Sequence, residues 1–68
     1  MTLTKASKLA ESKSLKHNGD YPSYFVVDMD YQNTRKYYVV SEDYLLTDEF
    51  FAFDGIIHQE WNNGNLVG

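Results

Sequence analysis

Apolar and polar positions alternate most clearly in the middle of the chain. Tyr24 to Tyr31 (YFVVDMDY) and Arg35 to Ser41 (RKYYVVS) are dominated by β-branched and aromatic residues and are separated by the polar Gln32, Asn33 and Thr34. This predicts a β-hairpin. With all three polar residues in the turn, Tyr31 faces Arg35, Asp30 faces Lys36 and Asp28 faces Tyr38. One face then carries Phe25, Val27, Met29, Tyr37 and Val39, and the other carries Asp28, Asp30, Lys36 and Tyr38 around Val26 and Val40. That division suits an antiparallel sheet with one buried and one wet face. A two-residue turn at Asn33 and Thr34 would forgo the Asp30–Lys36 charge pair, worth roughly 0.2–1 kcal/mol, so the longer turn is preferred.

The pattern before the hairpin has a helical period. Leu3, Ala6, Leu9 and Ala10 form one stripe, Ser and Lys fill the opposite side, and Lys16 and His17 end the segment where cations suit the helix dipole. A helix from Leu3 to His17 follows, capped by Thr2 or Thr4, stopped by Asn18-Gly19, with Pro22 beyond. Leu15 falls off the stripe. The two alanines permit close approach, and the helix is expected to cover the Phe25, Val27 and Val39 face.

After the hairpin the pattern is harder to read. Ser41 and Thr47 are candidate N-caps, each followed by acidic residues. Thr47 to Phe53 reads as a short helical turn closed by Asp54-Gly55, or as a strand from Phe50 to Phe53 turning there into the next one. The helical turn is preferred and would set Phe50 and Phe53, three apart, on the core side. Ile56 to Trp61 reads as a strand. Asn63-Gly64 is a strong hairpin signal leading to a brief edge strand at Leu66 and Val67. The elements together predict a single α+β domain over residues 1–68, one N-terminal helix packed on a three- or four-stranded antiparallel sheet.

A chain of 68 residues without cysteine has neither disulfide staples nor thiolate metal sites, and at this length buries only about 60% of its unfolded surface. Aromatic residues, 16% of the chain, stand in as the stabilising device. The absence of cysteine fits a reducing cytoplasm. No apolar run approaches the roughly 18 residues of a membrane span, and no apolar core of a signal peptide precedes the helix. The expected location is cytoplasmic, with no membrane partner. The formal net charge is −4, and its distribution is uneven. Residues 1–17 hold Lys5, Lys8, Lys13 and Lys16 against Glu11 alone. The remainder holds Arg35 and Lys36 against Asp20, Asp28, Asp30, Glu42, Asp43, Asp48, Glu49, Asp54 and Glu60. Such a field repels nucleic acid from the sheet part and attracts basic partners. The lysines, without arginine or interleaved aromatics, fall short of a nucleic-acid footprint and read as a solvated helix face.

Candidate chemistry is sparse. His17 and His58 lack metal-ligand spacing. Asp28 and Asp30, two apart on a strand, share a face as a carboxylate pair does, but without a cleft they read as a charged surface that discourages edge aggregation. There is no phosphate loop, nucleophile constellation or calcium loop, so neither catalytic residues nor a cofactor are expected. The six tyrosines exceed what so small a core needs, and tyrosine is favoured at protein interfaces. Tyr38 and Tyr44, beside Asp28, Asp30, Glu42 and Asp43, are expected to be exposed. Acid and aromatic groups together suit a surface rich in Arg and Lys, with carboxylates in place of phosphates and rings on guanidinium planes.

The acidic set Asp28, Asp30, Glu42, Asp43, Asp48 and Glu49, in a Tyr-rich and cysteine-free chain, resembles in kind the small acidic proteins that bacteriophages and mobile elements encode against host defences. Anti-CRISPR proteins and other DNA-mimicking inhibitors belong to that group. The resemblance covers size and character and rests on no diagnostic motif. It implies a non-enzymatic inhibitor in the host cell cytoplasm, monomeric or homodimeric, that binds a nucleic-acid-binding effector complex and blocks target DNA engagement. No residue role carries over from that group; the acid-and-aromatic pattern itself gives the expected contact set, Asp28, Asp30, Tyr38, Glu42, Asp43, Tyr44, Asp48 and Glu49, meeting a basic protein surface and no nucleic acid directly. The alternative is a small accessory subunit docking by an aromatic sheet face or a strand edge.

Overall fold

The computed structural model describes residues 1–17 and 22–68. Helix α1 (Leu3–Lys16) leads into strands β1 (Ser23–Tyr31) and β2 (Thr34–Ser41). A 3₁₀ helix (Glu42–Leu46) and the short helix α2 (Asp48–Ala52) follow, then β3 (Ile56–Asn62) and β4 (Asn65–Leu66). The strands form one antiparallel sheet in the order β2-β1-β3-β4. This is the expected α+β architecture, with four strands. The helical reading of the segment after Thr47 is the correct one.

Helix α1 is capped by Thr2, whose hydroxyl accepts the Lys5 N–H at 3.2 Å. The Asn18-Gly19 stop lies outside the described residues. Ala6, Ala10 and Ser14, four apart in turn, are fully buried, so the smallest residues of the stripe meet the sheet while Leu3 and Leu9 lie at its margins. Ser14 Oγ donates to the Glu11 carbonyl and accepts the Gly64 N–H, both at 3.0 Å, tying the helix to the β3–β4 turn. Leu15 covers the same turn, its side chain resting against Gly64. The off-stripe leucine thus belongs to a contact outside the helix–sheet seam.

The hairpin register differs from the expected one. Tyr31 pairs with Thr34, Asp30 with Arg35, Asp28 with Tyr37 and Val27 with Tyr38. The turn holds only Gln32 and Asn33, with φ of 54° and 63°. Two left-handed residues make the tight turn whose twist matches a right-handed strand pair. A one-residue shift sends every β2 side chain to the other face. Tyr38 and Val40 therefore join Phe25, Val27 and Met29, while Tyr37 and Val39 join Val26. The Asp30–Lys36 pairing does not form, because Lys36 stands opposite Met29.

The sheet is covered on both sides, which the half-wet assignment did not anticipate. Helix α1 packs on the Val26 face with Tyr24, Tyr37, Val39 and Trp61, not on the Phe25, Val27 and Val39 face expected for it. The Phe25, Val27 and Met29 face is closed by Phe50, with Tyr44, Leu45 and Phe53 around it. Phe50 and Phe53 face the core together, as their spacing implies. The hydroxyls of Ser41 and Thr47 do not cap the helices they precede: Ser41 bonds the Asp43 carboxylate, and Thr47 bonds the Tyr44 carbonyl at 2.6 Å.

Strand β3 contains a bulge. Val26 pairs with Gln59 but Val27 pairs with Ile57, leaving His58 as the extra residue. A bulge re-aims side chains beside it. Gln59 accepts hydrogen bonds from Ser7 at 2.8 Å and Trp61 Nε1 at 2.9 Å on the α1 side. His58 reaches Asp28 on that same side.

Candidate functional site

Two clusters of polar and aromatic side chains form on opposite faces of the sheet. The first is built from the open end of the α1 face. Asp28 on β1 accepts Nε of Arg35 on β2 at 2.7 Å, a second bond from Arg35 Nη2, and a bond from Nε2 of His58 on β3. Arg35 also pairs with Asp54 Oδ2 at 3.3 Å and donates to the Asp54 carbonyl at 2.9 Å. The Tyr37 ring meets His58 edge-to-face at 5.3 Å. Burial pushes the Asp28 carboxyl up, but the hydrogen bonds from His58 and Arg35 and the adjoining charges outweigh it and hold it below the usual carboxylate value. The cluster joins three strands and the loop after α2. Among the described residues no hydroxyl bonds the His58 ring. Asp30, exposed, lies further along the same face.

The histidines do not converge. His17 shares a 2.9 Å hydrogen bond with the Tyr24 hydroxyl, whereas His58 sits on Asp28, four residues along β1 and hence about 13 Å away. No group of three metal-ligating residues forms among the described residues. Asp20 and Tyr21 lie outside them.

The second cluster occupies the other face. Tyr31 and Met29 from β1, Tyr38 from β2, Tyr44 from the 3₁₀ helix, Glu49 from α2 and Phe53 line an open cleft of about 410 Å³. The Tyr31 and Phe53 rings pack edge-to-face at 5.0 Å. The Tyr44 hydroxyl donates to Glu49 Oε1 at 3.0 Å and lies 3.6 Å from Met29 Sδ. Burial, and then Glu49, raise the Tyr44 pKa above its ordinary value. Tyr38 and Tyr44 are half-buried against the Phe25 and Val27 core rather than exposed. The register explains Tyr38, and the 3₁₀ turn explains Tyr44.

Around this cleft the surface is acidic and apolar together. Glu42, Asp43, Asp48 and Glu49 are all exposed, and among them Leu46 and Phe51 are 81% and 75% exposed. After Lys36 the chain holds no Lys or Arg. The four lysines of the first segment are exposed on α1, which packs on the opposite face of the sheet, and Lys13 among them reaches the β2 edge, where it lines a groove with Ser41 and Tyr44. The expected contact set is thereby divided: Tyr38, Tyr44, Glu42, Asp43, Asp48 and Glu49 belong to the 3₁₀ and α2 side, and Asp28 and Asp30 to the other. The sequence reading missed Met29, Tyr31 and Phe53 as cleft residues, as well as Leu46 and Phe51. A run of acids interrupted by large apolar residues, LLTDEFF, was the available signal.

No protein-family model matches the chain, and no curated protein or solved structure matches it at a significant level. Among the described residues no helix is long and apolar enough to cross a membrane.

Proposed function

We propose that the protein is a non-enzymatic inhibitor of the anti-CRISPR kind. It docks its 3₁₀ and α2 side on the basic nucleic-acid-binding surface of a larger cytoplasmic complex and blocks target DNA engagement. The observation that carries this reading is the segregation of charge across the sheet. Glu42, Asp43, Asp48 and Glu49 share one side with the exposed Leu46 and Phe51, and the lysines of α1 lie on the other. Carboxylates stand in for phosphates, and the apolar pair supplies the desolvated centre that interfaces need. The basic helix packs on the opposite face, with Lys13 reaching the β2 edge beside Ser41 and Tyr44.

The test is capture from cell extract with tagged protein, washed at low and at high salt, with partners identified by mass spectrometry. The expected result is a nucleic-acid-binding complex released by salt and competed by DNA, since surface charge pairing weakens as the Debye length shrinks. A partner that resists salt, or recovery of the protein alone, overturns the reading.

One observation favours a second reading. Strand β2, eight residues long, pairs only with β1 among the described residues, and its outer edge is open to an added strand. On that reading the protein is an accessory subunit or a homodimer. Charge reversal at Glu42, Asp43 and Asp48 then leaves binding intact, whereas truncating Tyr38 abolishes it.

A further inference from the structure

We propose that the cleft between β1, β2 and α2 is a binding site for a cationic side chain of the partner, an arginine guanidinium. The inference rests on the reading above that the partner surface is basic, and names the group on it that is recognised.

Four aromatic residues, Tyr31, Tyr38, Tyr44 and Phe53, line the cavity of about 410 Å³, and Glu49 is the one carboxylate among its lining residues. The volume lies within the range of small-ligand pockets, roughly 300–1,000 Å³. Ring faces carry the negative part of the aromatic quadrupole, so such a wall attracts a cation. The bond from the Tyr44 hydroxyl to Glu49 Oε1 holds the carboxylate against the wall and leaves Oε2 without a protein partner among the described residues. No Lys or Arg lines the cleft, so the Glu49 charge has no counter-ion there. A purely apolar occupant would bury the rings but desolvate that charge without compensation.

Guanidinium fits better than ammonium. It is flat, weakly hydrated and able to stack on a ring while its N–H fork reaches a carboxylate, whereas ammonium surrenders a strongly held water shell. The Tyr31–Phe53 pair is already packed at 5.0 Å, so one part of the wall is ordered before any occupant arrives.

The test is a heteronuclear NMR titration of the intact protein with three blocked tripeptides, Gly-Arg-Gly, Gly-Lys-Gly and Gly-norleucine-Gly. The expected shifts cluster at Tyr31, Tyr38, Tyr44, Glu49 and Phe53, with arginine bound more tightly than lysine and lysine more tightly than norleucine. Glu49→Gln, an isosteric change at an exposed side chain, weakens arginine binding at least about fivefold. Glu11→Gln, an exposed acid on α1 that lines no part of the cleft, leaves it within about twofold. Norleucine binding as tightly as arginine, an unaltered affinity in Glu49→Gln, or shifts elsewhere overturns the proposal. If the cleft ignores arginine while the protein still captures a salt-released basic complex, this inference fails and the functional reading stands. If the cleft takes arginine but no such complex is captured, the functional reading is the one that fails.

Discussion

Replacing Gly55 by alanine tests whether the Phe50 seat is as closed as it looks. A Cβ at Gly55 would lie 2.3 Å from Phe50 Cε1, 2.5 Å from Cδ1 and 2.7 Å from Cζ, against an ordinary carbon contact of about 3.5–4.0 Å. The ring has nowhere to go. It is 7% exposed and packed with Phe25, Val27 and Met29. The Gly55 N–H is also bonded to the Phe50 carbonyl at 3.0 Å, so the two residues cannot separate without breaking the turn. Overpacking of this kind costs roughly 1–3 kcal/mol. The loss of glycine freedom in the unfolded chain returns about 0.4–1 kcal/mol. The net loss of roughly 1–2 kcal/mol lowers the midpoint of a domain this size by about 5–15 °C. Calorimetry measures it directly. Adding Phe50→Leu should recover part of the loss, because the two residues share one contact and their effects are not additive. An unchanged or raised midpoint for Gly55→Ala, or a double variant that simply sums the two losses, would refute the argument.

Three further outcomes follow from the clusters and the helix seam. The Asp28 carboxyl titrates below its ordinary value of 3.8 in the folded protein; its contribution to stability is present above the unfolded value and disappears as pH falls through the folded one. Asp28→Asn should therefore lower the urea midpoint at neutral pH, with the difference from the parent shrinking in acid; an equal difference at both pH values sinks the assignment. The Tyr44 phenol, raised above 10.0 by burial and Glu49, stabilises the fold below its unfolded value and loses that contribution as alkali carries pH through the folded one. Tyrosinate absorbance should show a late-titrating component that disappears in Tyr44→Phe. Ser14→Ala leaves the Gly64 N–H without its buried acceptor and should cost about 1–3 kcal/mol, with loss of hydrogen-exchange protection at Gly64; retained protection would show that another acceptor replaces it.

The elements were legible because each is announced locally. The alanine stripe, the left-handed Asn63-Gly64 pair and the spacing of Phe50 and Phe53 all act within a few residues of themselves. What could not be read depended on which face each strand turns inward. Phe25, Val27 and Met29 on one side and Val26 on the other are all buried, so alternation along β1 does not distinguish a wet face, and a register chosen on that basis has little to hold it. Gln32 in a left-handed conformation breaks the usual preference for Asn or Gly at that position, which hid the tight turn. From that single shift came the misplacement of Tyr38 and Tyr37, whereas α1 was misplaced because both faces of β1 are apolar and either could receive it. The division of the acidic set has another origin. Asp28 and Asp30 lie on β1 and share its even-numbered face whatever the register, while Glu42 to Glu49 are carried to the opposite side by the 3₁₀ and α2 excursion. The His58 bulge has no signature in the sequence, and with it the cluster around Asp28 was invisible.

The sheet that sets α1, with its four lysines, against the 3₁₀ and α2 segment, with Glu42, Asp43, Asp48 and Glu49, also makes the molecule a dipole. A body of low net charge but separated poles feels little overall pull toward a charged target until it comes within about 8 Å, the Debye length at physiological ionic strength, and then experiences a torque. Near a positive surface it turns α2 toward that surface and α1 away before any side chains touch. Orientation, normally the slow part of finding a specific patch, is then partly solved during approach, and association should gain more from lowering the salt than a net charge of −4 alone would suggest.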